Sequence, residues 1–289
     1  MSERVARSRA LVARGRKVAV VARVLQVSRQ AIYRTPKRRT DAGPRPVSGA
    51  VDRAIVEVAK QNPTDGTRMV AALTSRELGR PVNRKRAQRV MRSERLLQRH
   101  RPLRRRRRPG YFRVERPDQL WHMDMTSVWV AEHGWCYLNA AIDCCTREIP
   151  AWAIDVRCRK EEALAILERG VEAHDIESGQ LVLGTDNGTA YTSRGFRARL
   201  AELAIAHRRG GYRDPESQAF IESWFSKLKE RCIWREEFET LDQARDAIGA
   251  YVDHYHHRPH QFLGYRTPKE VRQTWEDAQE TEALRIQAA

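Results

Sequence analysis

The chain has no apolar run long enough to cross a bilayer. Its first residues carry scattered arginines but no apolar block ending in small residues, so no secretory leader is read there. Cysteine is scarce: Cys136, Cys144, Cys145, Cys158 and Cys232 are an odd number and include no C-x-x-C pair. That excludes a disulfide framework and a thiolate zinc site, and predicts reduced, mostly buried thiols. Acidic residues are rare in the front of the chain. Residues 1–110 hold 31 Lys+Arg against 7 Asp+Glu, whereas residues 111–289 hold 23 against 30. A merely arginine-rich composition does not explain this segregation. A basic arm on a mildly acidic body points to a polyanion partner, nucleic acid above all, because arginine forks match phosphates and release counterions. A cytoplasmic, nucleoid-associated bacterial protein with no membrane partner is the expectation.

What is present divides by pattern. Residues 1–40 read as a helix-turn-helix unit. Val18, Val21, Ala22 and Leu25 have helical spacing, and Ser28 caps a short second helix from Arg29 to Arg34. The start of such a helix enters the major groove, so Arg29, Gln30 and Tyr33 are expected to face DNA. Residues 41–49 read as a Pro- and Gly-containing linker. Residues 50–99 form a second helical unit, with Val51, Ile55, Val58 and Ala59 along one face, Gly79 as a cap and Asn83 opening a third helix. That third helix presents Arg84, Lys85, Arg86, Arg89 and Arg92, a phosphate-contacting surface or a solvated face. Residues 100–116 are an arginine-rich linker in which Arg104, Arg105 and Arg106 are expected to grip DNA.

From about Asp118 the pattern changes. Strands are predicted over Leu120–Val130, Trp135–Asp143, Ile149–Val156 and Leu181–Gly184, with a possible edge strand at Ala204–His207. Helices are predicted over Lys160–Ala173, Ser193–Leu203, Glu216–Glu230 and Leu241–His254. Three antiparallel strands followed by alternating helices and strands describe an α/β, RNase H-like core over residues 117–240. Residues 241–289 supply one more helix and then a Pro-punctuated tail from Arg258 onward.

Three acids stand out. Asp124 lies inside an apolar strand, Asp186 ends a strand at an Asn-Gly turn, and Glu222 lies on a helix, separated from Asp186 by thirty-five residues. Singly each has a bland reading: an exposed strand acid, a turn former, a solvated helix residue. In this order and topology they read as the oxygen ligands of two divalent cations, Mg2+ or Mn2+, serving phosphoryl transfer. Lys229, two helical turns past Glu222, shares its face and can hold a phosphate. His254, His256, His257 and His260 have no accompanying cysteine and are read as a loop packed against the core or lying near DNA, not as a zinc site.

The segments Trp121-His122-Met123-Asp124-Met125-Thr126, Thr185-Asp186-Asn187-Gly188-Thr189-Ala190-Tyr191, Ile221-Glu222-Ser223-Trp224-Phe225-Ser226-Lys227-Leu228-Lys229 and His257-Arg258-Pro259-His260 resemble the DDE transposases of the IS-three family of bacterial insertion sequences. They are similar also to the retroviral integrase core. The likeness covers about residues 50–275, and the thirty-five-residue gap is that family's spacing. It implies that Asp124, Asp186 and Glu222 bind catalytic metals and that Lys229 is the basic residue following the glutamate. It implies strand cleavage and transfer on double-stranded DNA, at terminal inverted repeats and a target. It also implies a homo-oligomer on DNA and, in this family, an upstream-frame helix-turn-helix partner. Pro215-Glu216-Ser217-Gln218-Ala219 departs from the Asn-rich version of relatives. The alternatives are a DNA-binding regulator with an inactive core and an RNase H-type nuclease.

Overall fold

The computed structural model describes residues 3–34, 47, 49–98, 114–210 and 218–287. The linker residues 35–46 and the arginine run at 104–108 lie outside them. The chain divides into two compact units, Met1–Pro46 and Val47–Ala289.

In the first unit α1 (Glu3–Ala13), α2 (Val18–Val24) and α3 (Arg29–Tyr33) close over Val21, Ala22 and Ile32. Gln26 takes a left-handed φ of 51° in the tight turn between α2 and α3. The Ser28 hydroxyl then accepts the Ala31 N–H at 3.1 Å, which starts α3. Arg9 of α1 donates to the carbonyls of Ile32 and Ala31, two groups the five-residue α3 leaves open.

The second unit begins with α4 (Ala50–Gln61), α5 (Thr67–Glu77) and α6 (Arg84–Ser93), packed around Ile55, Val58, Val70, Ala87, Val90 and Met91. Gly79 holds a φ of +61° just after α5, and the Asn83 side chain accepts the Lys85 N–H at 2.8 Å to open α6.

The rest of this unit is built on a five-stranded sheet of β1 (Leu120–Val130), β2 (Gly134–Asp143), β3 (Ala151–Asp155), β4 (Val182–Thr185) and β5 (Ala206–Arg209), in the order β3-β2-β1-β4-β5. The first three are antiparallel; β4 and β5 run parallel to β1. The parallel pairs need crossovers, and these are α7 (Lys160–Ala173) before β4, then α8 (Thr189–Thr192) and α9 (Arg194–Glu202) before β5. Successive side chains of a strand face opposite ways. Trp121 and Met123 therefore join Leu167, Leu183 and Phe196 on one side. Val128, Val130, Leu138 and Ala140 join Ile221, Trp224, Phe225 and Leu228 of α10 (Ala219–Arg231) and Ile248 of α11 (Leu241–His256) on the other. Gly170 lets α7 lie close on the sheet: a Cβ there would stand 2.9 Å from the Ala151 Cβ and 3.1 Å from the Trp121 ring.

The region read as a tail from Arg258 instead holds α12 (Pro268–Gln287), twenty residues long. Pro268 stops the preceding turn but suits a first helical position, so proline here starts a helix. Partly buried Arg272 fastens α12 to the core, with Nη1 2.5 Å from Asp118 and Nε 2.6 Å from Glu148. Asp118 in turn donates its N–H to fully buried Asp143 at 2.6 Å. The other predicted strands and helices of the core match the sequence reading, some to the residue and the rest to within a few residues at their ends, where helices and strands fray. The cysteines are free; Cys136, Cys144 and Cys232 are buried, and Cys145 and Cys158 partly so. Among the described residues no helix is long and apolar enough to cross a membrane.

Candidate active site

Asp124 sits in the middle of the sheet, opposite Ala140 of β2. Its parity puts it with Val128 and Val130 on the face covered by α10. Asp186 lies beside it by register. The parallel ladder pairs Met123 with Thr185, so the next residues, Asp124 within β1 and Asp186 just past the end of β4, lie side by side. A tight turn holds Asp186: its Oδ1 accepts the Gly188 N–H at 2.9 Å, and Asn187 donates to the Gly210 carbonyl at 3.1 Å. A Cβ on Gly188 would press to 2.9 Å from that same Oδ1, so a larger residue there would displace the Asp186 carboxylate. Glu222 is exposed in the first turn of α10, the helix laid over β1 and β2. The positive helix N-terminus favours an acid there.

The electrostatics tie these positions together. Asp124's carboxyl is pushed up to about 6, first by burial, against the pull of the Met125 N–H that it accepts at 2.7 Å. The charges of Asp186 and Glu222 raise it further, and Lys229 opposes them. Four residues from three elements thus share one electrostatic neighbourhood. Among the described residues no three His, Cys, Asp or Glu side chains close on a single point.

Residues that the pattern of the sequence did not single out complete the site. Tyr191 is quoted only inside a motif, yet its buried hydroxyl donates to Asn139 at 3.3 Å and its ring packs edge-on against Phe196. Burial and then the charges of Asp124 and Asp186 push its phenol well above the ordinary range. His122 is buried and stacks on Phe220 of α10 with ring centroids 5.8 Å apart. The Arg147 guanidinium lies 3.4 Å over the same ring. Burial, then the nearby Arg208 and Arg147, lower His122 to about 4, so it is neutral at physiological pH. The ladder accounts for Arg208: His122, Gly184 and Arg208 are opposite one another across β1, β4 and β5.

The other expected binding residues fall elsewhere. Arg29, Gln30 and Tyr33 are exposed on α3, in the first unit. Arg84 and Lys85 are exposed at the start of α6. Arg86, placed with them by the sequence, spends its Nε on buried Asp52 at 2.6 Å, and Arg89 approaches the same carboxylate at 2.7 Å. An acid on an otherwise apolar helix face was the available sign of that pairing. Arg104, Arg105 and Arg106 lie outside the described residues. Of the histidines, His256 uses its Nε2 to accept the Ile149 N–H at 2.9 Å, a structural role.

The sequence matches two models described as integrase core domain, over residues 114–215 and 203–268. It is 30% identical over 281 residues to the Escherichia coli transposase InsD for insertion element IS2A/D/F/H/I/K, covering 91% of this chain and 93% of that one. It is equally similar to the transposase InsD for insertion element IS2-9 of Escherichia coli strain K12, covering 91% of each. Among solved structures, the simian T-cell lymphotropic virus intasome in complex with PP2A regulatory subunit B56 gamma matches with 17% identity and a TM-score of 0.46, over 74% of each chain. The HTLV-2 integrase catalytic core domain in complex with magnesium matches with 16% identity and a TM-score of 0.32, over 39% of this chain and 69% of that one. With an integrase core and a transposase relative spanning nearly its whole length, the chain belongs to the DDE transposases of the IS-three family of bacterial insertion sequences, the enzymes of DNA transposition.

Proposed function

We propose that the chain cuts and joins DNA strands at its element's ends by metal-dependent phosphoryl transfer, with Asp124, Asp186 and Glu222 as the metal ligands. The observation that carries this is the state of Asp124. A half-buried carboxyl raised to about 6 beside two further acids is a site short of positive charge. All its donors are hard oxygens, which suit Mg2+ or Mn2+. Asp124, Asp186 and Glu222 would hold the ions through their carboxylate oxygens. Bound there, the cations supply charge to the attacking and leaving oxygens of an in-line displacement.

The remaining roles belong to the protein. The strand and turn hold Asp124 and Asp186 in fixed relation, and α10 carries Glu222 over them. Lys229 faces the acids and neutralises a phosphate of the bound strand. Arg84 and Lys85 on α6, Arg29, Gln30 and Tyr33 on α3, and the arginines at 104–106 bind double-stranded DNA, the terminal inverted repeats and the target. Two ends must be held together for joining, so the working form is a homo-oligomer on DNA.

The test is cleavage and joining of labelled terminal-repeat DNA with Mg2+. Asp124→Asn should lose activity by about 10³-fold or more, the scale of removing one electrostatic contact to a transition state. Undiminished activity in that variant would refute the assignment. Footprints on DNA without metal-dependent cutting by the wild type would favour a binding regulator with an inactive core.

A further inference from the structure

The connection between α4 and α5 contains one buried acid, Asp65, whose side chain is 2% exposed. Its own N–H is taken by the Asn62 carbonyl at 3.0 Å, so the turn presents the carboxylate rigidly. Two arginines from the sheet domain meet it. Arg231, the last residue of α10, donates through Nη2 at 3.0 Å, and Arg258, just after α11, donates to the other oxygen. Lys227, one turn before Arg231, is also half-buried in this cluster. One carboxylate therefore stands among three cations that would repel one another without it.

A second tether lies apart from the first. Arg76 of α5 makes a two-pronged bridge to Glu270 of α12, at 2.8 and 2.6 Å, and donates to the Tyr265 carbonyl at 3.2 Å. Both tethers join the three-helix bundle to the sheet domain within the one compact unit. The helix gripped at its end by Asp65 is the helix that carries Glu222 in its first turn. Arg231 lies nine helical steps past Glu222, about 14 Å of stiff rod.

Buried ion pairs are poor sources of stability, since apolar residues fill such space as well; their best-attested use is to fix one registry. We propose that Asp65 is a positioning residue that sets the span from the DNA-contacting start of α6 to Glu222, and so selects which phosphate of the element's end is cut. This rests on the reading of Arg84 and Lys85 as DNA contacts and of Glu222 as a metal ligand.

The experiment uses the full chain and end-labelled terminal-repeat DNA with Mg2+, and maps the cut ends at nucleotide resolution. Asp65→Asn removes the charge, and Asp65→Glu keeps it while displacing the carboxylate by one methylene. The wild type is expected to cut at one phosphate. In the variants the cuts should shift or spread to neighbouring phosphates, with DNA affinity unchanged. Should Asp65→Asn fail to fold, as far-UV circular dichroism would show, Asp65→Glu decides. Reduced product confined to the wild-type phosphate in Asp65→Glu overturns the proposal and leaves Asp65 a structural residue. Unchanged affinity in Arg84→Ala/Lys85→Ala would instead sink the DNA reading of α6, and wild-type cutting by Glu222→Gln the metal reading. These failures are distinct from a fixed cut site.

Discussion

Replacing Asp124 with Asn should make the metal-free protein more stable while abolishing its chemistry. In the fold this carboxyl is raised from 3.8 to about 6, chiefly by burial and further by Asp186 and Glu222. The folded state therefore binds its proton more tightly than the unfolded chain. Between those two values the native state carries more protons, so stability falls as pH rises through the window. Above it the full penalty is present; below about pH 4 it is gone. Two pKa units correspond to about 3 kcal/mol, and partial solvent access trims this to about 1–3 kcal/mol. Asparagine is nearly isosteric, and its Oδ1 can still accept the Met125 N–H. For a unit of this size each kcal/mol moves Tm by about 2–4 °C, so the gain is on the order of 5 °C. Calorimetry in EDTA near pH 7.5 should show the variant melting higher, and near pH 4 the difference should vanish. Adding Mg2+ should then raise the wild type, by mass action on the folded state, and not the variant. A variant that melts lower in EDTA at neutral pH, or whose advantage is the same at both pH values, refutes the account of Asp124 as an acid held short of a cation.

Two stability predictions follow from the packing. Arg272→Met leaves Asp118 and Glu148 as buried acids without their cation; breaking such a network costs about 3–5 kcal/mol, so Tm should fall on the order of 10 °C, and a loss of only a degree or two would mean α12 is held by something else. Gly170→Ala would gain about 1 kcal/mol from helix propensity alone, but its Cβ meets Ala151 at 2.9 Å, so the urea midpoint should drop by the equivalent of about 1–3 kcal/mol, and a rise would show that α7 moves off the sheet freely.

Much of the chain's order was legible because it is local. Alternation along Leu120–Val130 and the apolar period of Lys160–Ala173 are written in consecutive residues, and both elements appear at those bounds. The caps at Ser28 and Asn83 use side chains within three residues of the N–H groups they accept, so the helix starts could be read directly. The family too was readable, since the acids, their spacing and the flanking motifs survive in one dimension. What sequence alone could not decide is which distant charges meet. Arg86 and Arg89 read as surface cations, and only the fold shows that both also reach buried Asp52. The helix at Pro268–Gln287 looked like a tail because its anchor, Arg272, bonds to acids more than a hundred residues away. A long-range ion pair leaves no periodic trace, because its partners are set by the path of the fold and not by neighbours in the chain. Order, family and the three acids belonged to the sequence; the tertiary structure alone decided that a parallel rung sets Asp186 level with Asp124 and that α10 carries Glu222 to the same face.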